Sequence, residues 1–292
     1  WVLHRADLHG ALLAACRDSG IEINTGFDLT SVVQSEQSVR IQCATGRVEE
    51  GCGLIGADGL WSAVREQIFA HAGPTHTGRF AARALVPRAA LSGGIDPDAV
   101  GIWMSPDAHV VHYPVRQGRE INVVVIAPGA VTAEAWSLPI EPETVLDRVS
   151  KFAPRLRQFL QIATQWRQWP LRTRPPMASY AKGRIALAGD AAHPTLPFLA
   201  QGAVMALEDA ETLATELQHK PADLPRALEK YSLARLERTK RIVATANENG
   251  RVYHLHEPLA TARNLSLRLI PAAAVMARYD WIYGNTDAPR PR

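Results

Sequence analysis

Cysteine is scarce in this sequence, and long apolar runs are missing. Its three cysteines, Cys16, Cys43 and Cys52, lack the paired spacing of a zinc site. An odd, sparse count predicts free thiols in a reducing compartment, with the cytoplasm as the default. No stretch approaches the length of a membrane span, and the first residues do not read as a signal peptide. Charge of one sign is lacking too: Lys+Arg 32 against Asp+Glu 29 leave +3 over 292 residues. Without a Lys/Arg run, that balance argues against nucleic acid. The mild basic bias suits small anions, such as a nucleotide or an aromatic carboxylate. An initiator Met is absent; Trp1 opens the chain inside a motif, as a fragment or truncated product would. What remains, 47% hydrophobic and 21% charged, is the make-up of a soluble globular protein of one large or two modest domains.

The stretch from Gly183 to Gly202 organises the rest. Ile185-Ala-Leu-Ala188 is a short apolar run bounded by glycines, as a strand covered on both faces should be. It runs through Gly189 into Asp190, at the strand end where open α/β sheets bind ligands. Pro194 and Pro197 keep the next residues out of a helix. Gly202 opens a helix with Ala203, Leu207, Ala210, Leu213 and Leu217 at helical spacing, and its unpaired N–H groups favour an anion or an electron-rich carbonyl.

Upstream, Asp7 is the expected N-cap of a helix with Leu8, Ala11, Leu12, Ala15 and Cys16 buried. Residues 21–25, 29–35, 39–44 and 47–52 read as a strand followed by a small antiparallel set. Residues 52–65 repeat the strand, turn and helix plan, with Leu54 to Ala57 buried, Asp58-Gly59 as the turn and Ser62 near the helix start. Asp58 and Arg65 read equally well as an N-cap and a salt-bridged surface residue. Gly51, Gly53 and Gly56 spell G-x-G-x-x-G, but before and within a strand rather than at a helix start, so the dinucleotide fingerprint is rejected.

From 75 to 174 the character changes. Residues 80–87, 100–104, 109–115, 120–127 and 165–172 read as strands, and 142–160 as one helix. Along 109–115 the side chains alternate, placing His109, Val111 and Tyr113 on one face and His112 on the other. Imidazole titrates in the range useful for ionising a phenol; a structural sheet histidine is the competing reading. Further on, Asp223 caps and Pro225 starts a helix ending near Asn249, closed by Gly250. A last helix is expected over 266–283, interrupted at Pro271.

Three strings bear a family resemblance. Gly-Arg-Ile-x-Leu-x-Gly-Asp-Ala-Ala-His-Pro-x-x-Pro, with Gln201-Gly202 and Glu208-Asp209-Ala210, resembles the second flavin motif of the single-component FAD-dependent aromatic hydroxylases, the salicylate, 3-hydroxybenzoate and 6-hydroxynicotinate hydroxylases. Gly-Ala-Asp58-Gly59-x-x-Ser-x-Val-Arg65 resembles their Asp-Gly motif, and His-Arg5-x-Asp-Leu their conserved-arginine motif. The resemblance implies an α/β fold: an FAD/NAD(P)-binding Rossmann-like domain lacking its first βαβ unit with the Gly-rich segment, an inserted β-sheet substrate domain and C-terminal helices. The implied division is 1–74 with 175–250 for FAD, 75–174 for substrate and 251–292 as C-terminal segment.

The implied reaction is hydroxylation of a hydroxybenzoate-like ring with NAD(P)H and O2 through a flavin hydroperoxide. Arg5, Asp58, Gly59, Arg65, Gly189, Asp190, Pro197, Gly202 and Ala203 would bind the cofactor, with Asp190 on the ribityl chain, Pro197 against the ring, and the Gln201 and Gly202 N–H groups at its pyrimidine end. His109, Tyr113 and Gln201 would face the substrate, with His112 in reserve and Trp103, Trp166 and Leu199 lining a dry pocket. A homodimer is compatible, and no nucleic acid or membrane partner is implied. A non-catalytic remnant that binds no flavin, or an epoxidase of a nonaromatic substrate, shares these motifs.

Overall fold

The structure is a computed structural model, and it describes residues 3–91, 93–129, 137–218 and 223–283. Among these residues there are three sheets. The first is an antiparallel set of β1 (Leu29–Gln34), β2 (Val39–Cys43) and β3 (Val48–Gly51). The second mixes directions: β11 (Ala181–Lys182) pairs antiparallel with β12 (Ile185–Leu187), which pairs parallel with β4 (Leu54–Gly56). The third is a six-stranded antiparallel sheet in the order β6 (Gly101–Met104), β7 (His109–Val115), β8 (Glu120–Pro128), β5 (Thr75–Pro87), β10 (Trp166–Thr173), β9 (Leu138–Ile140).

Burial explains β12. All of its residues are buried, as parallel strands covered on both faces require. It packs with Val64 of α2 (Ala63–Phe69), Leu213 of α5 (Gly202–Leu217) and Leu228 and Tyr231 of α6 (Leu224–Tyr253). Gly56 is obligatory there, because a Cβ would come within 2.9 Å of both Leu187 and Val64. The six-stranded sheet builds a separate core. One face carries Phe80, Ala82, Val110, Ile121, Val123, Val125 and Trp166 against α3 (Pro142–Arg148) and α4 (Pro154–Gln161). The other carries Ala81, Ile126 and Leu171, capped by Phe198. This is the expected α/β plan with its β-sheet insertion and helical C-terminus.

Several local expectations give way. Helix α1 (Arg5–Asp18) buries no residue, and Leu12 is 47% exposed. Its N-cap is His4 and not Asp7, whose carboxylate instead lies 3.5 Å from Arg116 Nε. Residues 21–25 are not a strand, since nothing among the described residues pairs with them. In β4, Ile55 is exposed rather than buried. The helix expected over 142–160 is two, broken where Pro154 takes the first turn of α4. In α5 the buried stripe is Met205, Asp209 and Leu213; Ala203, Leu207 and Ala210 are exposed. Helix α6 runs through Gly250, and the C-terminal helices are α7 (Leu259–Leu269), α8 (Ala272–Ala277) and α9 (Asp280–Tyr283). Among the described residues no helix is long and apolar enough to cross a membrane.

Candidate flavin and substrate site

The parallel register sets Gly56 beside Leu187, and the Ala188 N–H donates to the Gly56 carbonyl at 3.0 Å. Two residues past Gly56 stands Asp58, and three past Leu187 stands Asp190, so both acids leave neighbouring strand ends on the same side. Asp58 is exposed and is not the N-cap of α2, which is Ser62, whose Oγ accepts the Arg65 N–H at 2.9 Å; Asp58 reaches the same helix end from the turn and accepts the Val64 N–H at 3.1 Å. Gly59 follows in the left-handed region at φ +74°, where only glycine is unstrained. A Cβ on Gly202 would come within 4.0 Å of Asp190 Oδ1, so the start of α5 meets the same acid.

Arg65 is not the surface residue that a salt bridge would leave. Its side chain is fully buried, and Nη1 donates to the carbonyls of Ala191 and Ala192 at 3.0 and 3.1 Å. Nη2 donates to the Pro175 carbonyl at 2.6 Å. Burial, with Arg174 next to it, lowers its pKa to about 10. Arg65 therefore clamps α2 to the turn that carries Asp190. A second clamp escaped sequence reasoning. Asp209 Oδ2 accepts the Gly189 N–H at 2.8 Å and bonds His193 Nε2 at 2.6 Å, while Oδ1 accepts from Arg235 Nε at 2.7 Å. Burial opposes the Asp209 carboxylate, but His193, Gly189 and Arg235 outweigh it and hold its pKa below the ordinary value. The signal in the sequence was the Glu208-Asp209-Ala210 string, in which Asp209 was given no role.

Asp190 is reached by solvent, yet its acidity is that of a partly enclosed group. Desolvation raises its pKa, and the nearby charges of His193 and Arg5 pull it back. No hydrogen bond to its carboxylate is seen among the described residues. Arg5, the first residue of α1, thus stands within electrostatic reach of Asp190, and also of Arg83 on β5. Arg83 in turn lies within reach of Tyr113, and its Nε donates to Asn122 Oδ1. Burial raises the Tyr113 pKa, and Arg83 moderates the shift.

His109 sits on the sheet face that Phe198 covers, with the two ring centroids 5.4 Å apart. Tyr253 and His254, from the end of α6, lie at 5.2 and 4.9 Å. Phe198 follows exposed Pro197 directly, so the segment 194–201 runs from the Asp190 crevice to the His109 face. It is pinned there, since Asn249 Nδ2 and the Tyr253 hydroxyl both donate to the Phe198 carbonyl at 3.3 Å. Gln201 ends the segment, buried and preceding α5; exposed Ala203 lies in that helix's first turn. One expectation fails: His109 does not titrate near neutrality. Burial, with His254 and Arg79 adding to it, lowers its pKa to about 3.

The reserve residue, His112, faces the opposite way, against Trp103 and Phe159. It borders a cavity of about 550 Å³ with Asp96, Trp103 and Arg155, none of them a motif residue. Trp103 and Trp166 pack on that helix-covered face, and Leu199 packs with Met205 and Ile242, so the first two do not line the His109 side.

The arrangement fits a flavin. Among the described residues no side-chain donor is seen on the Asp190 carboxylate, which lies in a crevice where Gly59 and Gly189 hold positive φ and spare the backbone from side chains. The first N–H groups of α5 have no partner within the helix, and among the described residues no side chain caps them. The comparisons agree. A family described as an FAD binding domain matches residues 2–246. The chain is 35% identical over 285 residues to a 3-hydroxybenzoate 6-hydroxylase of Polaromonas naphthalenivorans, covering 97% of this chain and 71% of the relative. It is 32% identical to a 3-amino-4-hydroxybenzoate 2-monooxygenase of Streptomyces platensis, over 99% of this chain and 72% of that one. A salicylate hydroxylase solved with substrate superposes with a TM-score of 0.80 at 25% identity, covering 96% of this chain and 72% of the other. The crevice between two strand-end acids, the buried clamps behind it and these likenesses agree: the chain belongs to the FAD-dependent aromatic hydroxylases.

Proposed function

We propose that this chain hydroxylates a ring bearing both a hydroxyl and a carboxylate, a hydroxybenzoate or a close analogue, with NAD(P)H as reductant. The observation that carries the reading is the 194–201 segment, which joins the Asp190 crevice to the sheet face of His109 and Tyr113. When bound, FAD supplies electron transfer from NAD(P)H and the activation of O2. The protein's part is to bind, orient and keep water out.

In this reading Asp190 accepts from the ribityl hydroxyls, and Pro197 lies against the flavin ring. The N–H groups of Gln201, Gly202 and Ala203 face the electron-rich pyrimidine end. Arg5 adds positive charge beside Asp190, while Asp58, Gly59, Arg65 and Gly189 shape and brace the crevice. His109 and Tyr113 meet the substrate hydroxyl, and buried Gln201 the ring. Arg83, half-buried on the same sheet face, suits the substrate carboxylate as a point of charge pairing. Phe198, Tyr253 and Leu171 make that side apolar enough to exclude stray water. The flavin part would comprise 1–74 and 175–250, the substrate part 75–174, and 251–292 the C-terminal segment.

Exposed Leu265, Leu267, Leu269 and Met276 favour a homodimer, and unpaired Cys16, Cys43 and Cys52 a reducing cytoplasm. Light scattering and fractionation test these two points. The activity is tested on the purified chain with FAD. Flavin absorption and NAD(P)H oxidation quickened by 3-hydroxybenzoate, with a dihydroxybenzoate formed, are expected. His109→Ala should cut turnover about a hundred-fold or more with flavin content unchanged. A colourless chain that ignores added FAD, or oxidation quickened only by alkenes, would sink the reading.

A further inference from the structure

Neutral imidazole carries its proton on one ring nitrogen or the other, and its neighbours decide which. His254 Nδ1 lies 2.7 Å from the Gly250 carbonyl oxygen. A carbonyl only accepts, so Nδ1 carries the proton and Nε2 bears the lone pair. Arg79 agrees: its Nη1, a donor only, lies 3.3 Å from the same Nε2 and also donates to the Asp107 carbonyl at 3.2 Å. His109 Nδ1 stands 3.0 Å from His254 Nε2. Facing a lone pair, it can only donate. His109 therefore carries its proton on Nδ1 and leaves Nε2 bare. That Nε2 is buried with no hydrogen-bond partner among the described residues, on a side chain 1% exposed. Both rings are neutral at working pH, as the assignment needs: burial first, then neighbouring charge, lowers His109 to about 3 and His254 to about 4.

We propose that His254 is a positioning residue that locks His109 with its proton on Nδ1, so that His109 meets a substrate hydroxyl as an acceptor only. This rests on the phenol-hydroxylase reading above. The tautomer decides the sign of the effect. With Nε2 bare, the substrate O–H donates to it, and electron density builds on the phenol oxygen and hence on the ring to be attacked. With Nε2 protonated, the imidazole would donate to that oxygen and drain the ring. A second observation fits: residues 250–254 lie at the end of a helix that also pins Phe198 over His109, so one element sets both position and tautomer.

Nitrogen-15 correlation spectra of histidine-labelled protein read the tautomers directly. In the unmodified chain at pH 7 to 8, both His109 and His254 are expected as the Nδ1–H form. His254→Leu removes the acceptor, and His109 should shift to a mixture with Nε2–H. With it, kcat on 3-hydroxybenzoate should fall roughly ten-fold or more, the order of one lost hydrogen bond, with KM little changed. His254→Gln, whose Oε1 can still accept, should restore both tautomer and kcat. An Nε2–H signal for His109 in the unmodified chain overturns the proposal, as does an unchanged His109 tautomer in His254→Leu. Should that variant not fold, the spectra of the unmodified chain and of His254→Gln decide. The expected tautomers in a chain that hydroxylates nothing would support the lock and count against the functional reading alone.

Discussion

A histidine buried beside other cations is easier to protonate after unfolding than before. His109 and His254 are both in that position, lowered to about 3 and about 4 chiefly by desolvation. In the unfolded chain they bind protons near pH 6.5. Their contribution to stability is therefore complete above pH 6.5 and drains away as the pH falls toward 4 and then 3. Each neutral histidine adds up to about 1.4 kcal/mol of loss per pH unit across that window. Urea midpoints at pH 7.0 and 5.0 should show it, and His254→Gln should flatten the slope; equal midpoints for the unmodified chain would contradict it. Asp209 acts in a lower window. Its depressed carboxyl stabilises the fold above the ordinary Asp range and stops doing so as the pH falls through the folded value.

At the scale of elements, the contacts between α5, α6 and the 194–201 segment set how well the site is held. Gly250 shows two effects in competition. Alanine inside a helix is favoured over glycine by about 1 kcal/mol. A Cβ at 250, however, would come within 2.6 Å of the Phe198 ring, which is only 7% exposed and wedged against His109. Overpacking of that kind costs about 1–3 kcal/mol, so Gly250→Ala should lower Tm despite the helix gain, and a higher Tm would show that Phe198 yields freely. Asp209→Ala should cost more. It leaves the Nε of buried Arg235, itself 4% exposed, without its carboxylate while Glu208 still holds Nη2, and it unties Gly189. Removing one partner of a buried pair costs about 3–5 kcal/mol, measurable by chemical denaturation with Asp209→Asn as the milder comparison. Sequence patterning found α5 and its packed Leu213 and Leu217 but missed the rest of the buried stripe. Ala203, Leu207 and Ala210 are the apolar residues, whereas the helix turns Asp209 inward because Arg235 and His193 wait there.

For the molecule as a whole, what was legible followed from local signals. The bounds of β7 and the alternation of His109 against His112 were readable because one strand sets its own faces. The Asp58 and Asp190 turns were readable because glycine, proline and short apolar runs punctuate them. His254 was not readable as a partner of His109, since 145 residues separate them and only the packing of α6 on the six-stranded sheet joins them. Arg83 looked like any strand charge until its face was known, and α1's apolar spacing said nothing about whether a neighbour covers it. The small mixed sheet, finally, has β4 at its border among the described residues. Alternate amides of a parallel strand point to opposite sides. Leu54 N–H reaches the Arg184 carbonyl, which leaves the Ile55 N–H pointing away from β12. Deuterium should enter the Ile55 amide within the mixing time while Leu54 lags far behind. Where no further strand covers it, such a margin is also a template: at high concentration it invites another strand to zip alongside, so dilution, low temperature and a peptide able to lie along β4 should each keep the preparation clear.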